Sequence, residues 1–190
     1  MRNSLSDVVA AALRVLDAQG LEGCSMRRVA AQLDVQPSAL YHHVPDKQTL
    51  LALMADDIVR GVGESAREPR EFCVELRDAM LAVRDGADVV ATAAAFRLGA
   101  SQIEDRLAEL AGPDGARTLL LYTFGHAQST QTHVQAAALG ALLAPARPAI
   151  SAAAPSTAAP DPAADLDASF GRGLDIILAG LAAFAPTRRD

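Results

Sequence analysis

The sequence predicts an all-α protein. Alanine supplies 41 of its 190 residues, aromatics make up only 4% and Trp is absent. That composition favours close-packed helices over strands, which draw on aromatic and β-branched side chains. Apolar residues also recur at a period of 3.6 in one segment after another, with Ser, Asp, Gly and Pro at the boundaries. A chain of this length buries a core without staples. Its two cysteines, Cys24 and Cys73, have neither CxxC nor CxH spacing, which argues against structural zinc and fits a reducing cytoplasm. Charged residues interrupt every apolar stretch before the roughly 20 residues a membrane span needs, and the first residues lack the build of an export signal.

Taken in order, Ser6 is expected to cap a first helix whose stripe is Leu5, Val9, Ala12, Leu13 and Leu16. Gly20 stands where a left-handed residue ends it. Ser25 caps a second helix burying Met26, Val29, Ala30 and Leu33. After a short turn, Pro37 suits the first turn of a third helix with Leu40 and Val44 as its buried seam, and Pro45 stops it. Asp46 caps a fourth helix running to about Val62. Helical periodicity resumes over Phe72–Val83, Ala87–Leu98, Ser101–Leu110 and Ala116–Leu143, the last expected to kink near Gly125 or Gly140. Residues 144–165 hold five prolines and ten alanines without a period and read as a mobile loop. An apolar helix from Leu166 to Phe184 closes the pattern.

Helix, short turn and a second helix with one buried seam is the helix-turn-helix pattern, whose second helix enters the DNA major groove. With Leu40 and Val44 inward, the outward positions are Gln36, Pro37, Ser38, Ala39, Tyr41, His42 and His43, and no Asp or Glu lies between Gln36 and Pro45. Arg27 and Arg28 open the preceding helix, and Lys47, the only lysine, opens the next. Both are places from which a cation or N–H meets phosphate. The bland readings are that Tyr41 and His43 pack against the neighbouring helix and that Gln36 is only a cap.

The net charge of -6 opposes this reading when taken whole, since the footprint of a DNA binder is basic. Residues 1–62, however, carry six Lys or Arg against seven Asp or Glu, and residues 63–190 eleven against sixteen. The acidity therefore lies mostly in the second part of the chain. Weak non-specific DNA affinity is expected, with specific binding dependent on Arg27, Arg28 and Lys47.

The run from Leu21 to Val35, followed by Ser38-Ala39-Leu40-Tyr41-His42-His43-Val44 and by Lys47, Leu50 and Leu51, resembles the DNA-binding domain of TetR-family transcriptional regulators. Val83-Arg84-Asp85-Gly86-Ala87, Phe124-Gly125-His126 and the stretch from Phe170 to Ile177 followed by Gly180-Leu181 resemble the C-terminal domain of the tetracycline-repressor subgroup. The resemblance implies a helix-turn-helix domain over 1–62 and a larger helical ligand-binding and dimerisation domain over 63–190. It also implies that Arg27 approaches a base edge, that Pro37, Ser38, Ala39, Tyr41 and His43 face DNA, and that Lys47 meets phosphate. Tetracycline-binding members hold the drug through magnesium with a histidine and a glutamate at the positions matching Val90 and Val134. Both are valine here, so a different effector is expected, and neither metal nor other cofactor.

The segment after Ala116 carries a polar stripe: Tyr122, His126, Thr130 and His133 fall on one side of a helix. Inside an alanine-rich bundle such a stripe suggests a pocket for a small molecule, with Phe96 and Ile103 in its wall. A dimer interface or a solvated face are the alternatives. Phe170, Leu174, Ile177, Leu178 and Leu181, interspersed with Gly173 and Gly180, suit a homodimer interface. The sequence thus points to a cytoplasmic, homodimeric repressor released from a palindromic operator by a small molecule. A helical protein-interaction scaffold is the alternative. A histidine-based metal enzyme lacks a supporting carboxylate, a nucleophile signature and a phosphate loop.

Overall fold

The computed structural model describes residues 4–138 and 165–184. Among the described residues there are eight helices and no strand: α1 (Leu5–Gly23), α2 (Met26–Gln32), α3 (Pro37–Leu40), α4 (Lys47–Ile58), α5 (Pro69–Leu81), α6 (Gly86–Ala95), α7 (Ser101–Ala138) and α8 (Leu166–Phe184). Contacts divide the chain into two compact units, Met1–Gln128 and Ser129–Asp190. The first runs well past residue 62 because α4 packs extensively on α6. The Ala/Pro-rich stretch read as a loop and the kink expected near Gly140 lie outside the described residues, apart from Asp165 at the stretch's end.

The cap of α1 is Ser4 rather than Ser6. The Ser4 hydroxyl accepts from the Asp7 N–H at 3.2 Å and the Asp7 carboxylate accepts from the Ser4 N–H at 2.8 Å, a reciprocal capping box. The helix therefore starts two residues earlier than expected, and its buried face is Val8, Val9, Ala11, Ala12, Val15 and Leu16, with Leu5 left exposed. Gly20 breaks α1 at φ 72, ψ 175, a region that is essentially glycine's alone. The next residue, Leu21, donates its N–H to Asp85 Oδ2 at 2.7 Å, and Arg84 Nη1 donates to the Asp17 carbonyl at 3.0 Å. The segment between α5 and α6 thus holds the end of α1.

Ser25 caps α2 as expected, its hydroxyl accepting from the Arg28 N–H, and Asp46 caps α4, accepting from the Thr49 N–H at 2.7 Å. Leu16, Val29, Leu40, Val44, Leu50 and Met54 are fully buried, so α1 to α4 have an apolar interior of their own. α4 ends at Ile58, short of Val62, because Gly61 and Gly63 take positive φ in the link to α5. Phe72, Leu76, Met80, Leu107 and Leu119 are the large buried side chains of α5 and α7. α7 is not kinked at Gly125; the break falls at Gly112 (φ 73), immediately before Pro113, and separates the two helices that the periodicity predicted there.

Within the second unit, Thr130 and Gln131 at the end of α7 and Phe170 and Leu174 on α8 are buried, while Val134, Ile176 and Phe184 are exposed. No helix among the described residues is long and apolar enough to cross a membrane. Both cysteines are buried free thiols. Burial pushes Cys73 up to about 11, against a smaller opposing effect of the Thr123 hydroxyl, and raises Cys24 as well. Neither is a thiolate nucleophile at neutral pH.

Candidate functional site

The turn between α2 and α3 sets the direction of the third helix. α2 closes with the Leu33 N–H on Val29 and Ala30 carbonyls, Asp34 swings to φ 55, and the Val35 N–H returns to the Ala30 carbonyl at 3.0 Å. Pro37 then occupies the first turn of α3, where it lacks only an N–H that would be unpaired anyway. The helix is one turn long rather than reaching Val44. The His43 and Val44 N–H groups both converge on the Leu40 carbonyl, at 2.9 and 2.8 Å, and tighten the chain into a turn. Pro45 has no N–H to continue the ladder and disfavours helical geometry at Val44.

That geometry buries Leu40 and Val44 and turns the rest outward. Gln36, Ser38, Ala39, Tyr41, His42 and His43 are exposed, and Pro37 is half-buried. Tyr41 is 53% exposed, so its ring is not absorbed by a neighbouring helix. Gln36 holds the cap position of α3, but its side chain makes no capping bond. Lys47 is exposed at the first position of α4. Next to it the Asp46 carboxyl is held below the ordinary aspartate range, mainly by the Thr49 N–H. Arg27 is exposed, whereas Arg28 folds back to donate from Nη1 to the Gly23 carbonyl at 2.7 Å. Arg28 therefore ties α2 to the end of α1, with only its remaining N–H groups to offer.

A cavity of about 720 Å³ lies between α6 and α7, lined by Ala91, Ala94 and Ala95, by Arg97, Gly99 and Ala100, by Ile103, Glu104 and Asp105, and by Arg117, Leu120, Leu121, Phe124, Gly125 and Gln128. Of the pocket residues expected from sequence, Ile103 lines it and is buried. Phe96 caps the end of α6 and is 61% exposed. Tyr122 and His126 touch each other, with ring centroids 5.8 Å apart. At 100° per residue they fall on the opposite side of α7 from Leu120, Phe124 and Gln128. Thr130 is buried and His133 half-buried, both in the second unit. Ten of the fifteen lining residues are small or apolar, which a search for polar groups passes over; the i, i+4 run of Leu120, Phe124 and Gln128 is the sequence signal that marks the α7 side.

A second cavity of about 770 Å³ lies against α1, α4 and the start of α7. Most of its charged groups already have partners: Arg60 with Asp57, Arg106 with Glu109, and Asp56 with the Ala100 N–H. The α6–α7 cavity instead has four exposed charged side chains, Arg97, Glu104, Asp105 and Arg117, in its lining, and its wall is joined to α4. Ala100 donates to Asp56 Oδ1 of α4 at 2.7 Å, and Gly99 lies so close to α4 that a Cβ there would stand 2.7 Å from the Ala52 carbonyl oxygen. Among the described residues no group of three His, Cys, Asp or Glu could hold a metal ion.

Residues 8–54 match the family model described as bacterial regulatory proteins, tetR family. Over 205 aligned positions the chain is 32% identical to tetracycline repressor protein class A from transposon 1721 of Escherichia coli, covering 92% of this chain and 88% of that one. The chain belongs to the TetR family. Some matches are partial: 38% identity to the Escherichia coli class E tetracycline repressor spans 45% of that protein. Among solved structures of the TetR-like fold, Mycobacterium smegmatis BioQ superposes with a TM-score of 0.80 at 32% identity, covering 95% of this chain and 98% of that one. BioQ with its double-stranded DNA operator gives 0.74 at 29% identity, covering 95% and 99%. The Streptomyces coelicolor TetR-family protein ActR in complex with actinorhodin gives 0.74 at 27%, covering 98% and 99%. TetR-family proteins of this fold are transcriptional regulators rather than enzymes, and they bind operator DNA and small molecules.

Proposed function

We propose that the chain is a homodimeric repressor that binds a palindromic operator through residues 1–62 and is released by a small molecule held in residues 63–190. The observation that carries this reading is the face formed by Gln36, Ser38, Ala39, Tyr41, His42 and His43, exposed and free of acidic side chains above the buried seam of Leu40 and Val44. Tyr41 and His43 read base edges or phosphates together with Pro37, Ser38 and Ala39; Arg27 reaches a base edge, and Arg28 and Lys47 meet phosphate. BioQ and its operator, and ActR and actinorhodin, are the parallels for the two halves of the activity. The protein acts in the cytoplasm, where its DNA is.

The effector occupies the α6–α7 cavity. α6 is attached to the DNA-binding helices at both ends, through Arg84 and Asp85 to α1 and through Gly99 and Ala100 to α4. Asp85 and Ala100 both take positive φ, a conformation costing about 1–2 kcal/mol per residue and held by these contacts. A ligand that displaces α6 therefore moves α4, and a shift of a few ångströms in the spacing of two reading heads breaks simultaneous engagement of both half-sites. About 1–3 kcal/mol of coupling suffices for regulation. Dimerisation uses α8: Phe170 and Leu174 support it from within the protomer, and the half-buried Ile177, Leu178 and Leu181, with the exposed Ile176 and Phe184, offer the surface.

Footprinting on the DNA upstream of the chain's own gene tests the reading. Protection of two inverted half-sites about 34–36 Å apart, or a multiple of that spacing, is expected. Protection of a single site without dyad symmetry would contradict the dimeric operator.

A further inference from the structure

Between Gln36 and Pro45 the chain holds no carboxylate and no Lys or Arg; its ionisable groups are the Tyr41 phenol and the imidazoles of His42 and His43. Both imidazoles are exposed, and among the described residues neither has a hydrogen bond or an ion pair. They stand side by side after α3, in the turn that the His43 and Val44 N–H groups close on the Leu40 carbonyl. The backbone there is fixed while the rings are left to solvent. α2 is the helix most closely packed on α3, and its charged groups are Arg27 and Arg28. The flanking segments add Asp34 in the turn before α3, and Asp46 and Lys47 at the start of α4.

Histidine is the side chain whose charge ordinarily changes between pH 5 and 8. Arginine, lysine and carboxylates ordinarily keep theirs between pH 6 and 8, and the Thr49 N–H holds the Asp46 carboxyl ionised further down. Residues 1–62 carry six Lys or Arg against seven Asp or Glu, a net of -1, which two imidazolium charges per protomer convert to +1. Within the exposed segment itself they are the whole of the positive charge. A phosphate beside an imidazole favours the charged form and raises its titration. The DNA-bound protein then takes up protons, so affinity rises as pH falls. The gain is complete where the free imidazoles are already charged and is lost as pH rises through their titration in the complex.

Building on the reading of this face as the DNA contact, we propose that operator binding is proton-linked: His42 and His43 meet DNA phosphates as imidazolium ions, and the operator is held more tightly at pH 6 than at pH 8. In a domain with so few fixed cations, the two histidines supply the phosphate charge that other DNA binders draw from lysine and arginine.

The test is fluorescence anisotropy of the full-length protein on a duplex carrying the footprinted inverted repeat, at pH 6 and pH 8 and constant ionic strength. Affinity is expected to be about 100-fold or more higher at pH 6, because an opposite charge shifts a titration by about one unit or more and a dimer brings two imidazoles from each protomer. The salt slope should be steeper at pH 6 by roughly 2–4. His42→Gln with His43→Gln, which keeps N–H donors but not the charge, should bind within about threefold at the two pH values. His42→Arg with His43→Arg should keep at pH 8 most of what the wild type gains at pH 6. By NMR, both imidazoles should titrate at higher pH in the complex than in the free protein. Wild-type affinity indifferent to pH, or unmoved imidazole titrations, overturns the proposal. So does a pH dependence that survives the glutamine pair, which would assign the protons elsewhere, as to His126 or His133 of α7. Absence of operator binding at both pH values overturns the DNA reading of the face itself, a failure distinct from these.

Discussion

Replacing Tyr41 and Lys47 together by alanine is expected to weaken operator binding by about 1,000-fold or more while leaving the fold and the dimer intact. Both side chains are exposed, Tyr41 above the buried Leu40 and Lys47 at the first position of α4. Neither belongs to the buried interior, and surface substitutions of this kind stay within about 0.5 kcal/mol of wild-type stability. Lys47 also sits at the positive end of a helix dipole, where a cation is locally unfavourable, so its removal does not harm α4. Each lost base or phosphate contact is worth about 1–3 kcal/mol, and two per protomer in a dimer account for the loss. Gel-shift titration with size-exclusion chromatography in parallel checks it; unchanged affinity would remove these residues from the DNA face. Arg28→Ala is a poorer probe, because it also severs the bond to the Gly23 carbonyl.

The second large effect lies in the link between α4 and α5, where two glycines differ in a way only the structure shows. Gly61 and Gly63 both take positive φ, at 82 and 78. A Cβ on Gly61 meets nothing within 4 Å, whereas one on Gly63 would lie 2.2 Å from Cε2 of the fully buried Phe72. Gly61→Ala should cost only the left-handed strain, about 1–2 kcal/mol. Gly63→Ala adds overlap with a ring that has no room to retreat, typically another 1–3 kcal/mol, and strains the bonds from its N–H to Glu75 and from Arg106 to its carbonyl. For a chain of this size roughly 2–4 °C of melting temperature is lost per kcal/mol. Thermal unfolding is therefore expected to fall by about 2–8 °C for the first variant and by roughly twice that or more for the second. Equal losses would contradict the packing of Phe72 against Gly63.

The helices were legible because their signals are local. Ser25 and Asp46 cap where they stand, Pro37 opens α3, and the Leu40–Val44 seam fixes which side of the segment faces out. Where the reading slipped, a competing local signal or a long-range one decided. Ser4 and Asp7 form a reciprocal box that outdoes Ser6, and the two N–H groups converging on the Leu40 carbonyl shorten α3 to one turn. The cavity was harder to foresee. Tyr122 and His126 stand out among alanines, yet the cavity between α6 and α7 is lined by the alanines themselves and by Leu120 and Phe124. The bond from its Gln128 to Asp88 spans forty residues. No spacing rule announces such a pair, just as none announces the contact of Gly99 with Ala52.

This acidic chain is expected to bind a specific operator through a small set of cations. Fluorescence anisotropy of the upstream inverted repeat against a scrambled duplex, repeated across a salt series, tests it most directly. With Arg28 and Lys47 of each protomer on phosphates, the logarithm of affinity should fall against the logarithm of salt with a slope of roughly -4, and Lys47→Ala should reduce that slope by about 2. The scrambled duplex should bind far more weakly throughout. Equal affinity for both duplexes, or an affinity indifferent to salt, would contradict the account.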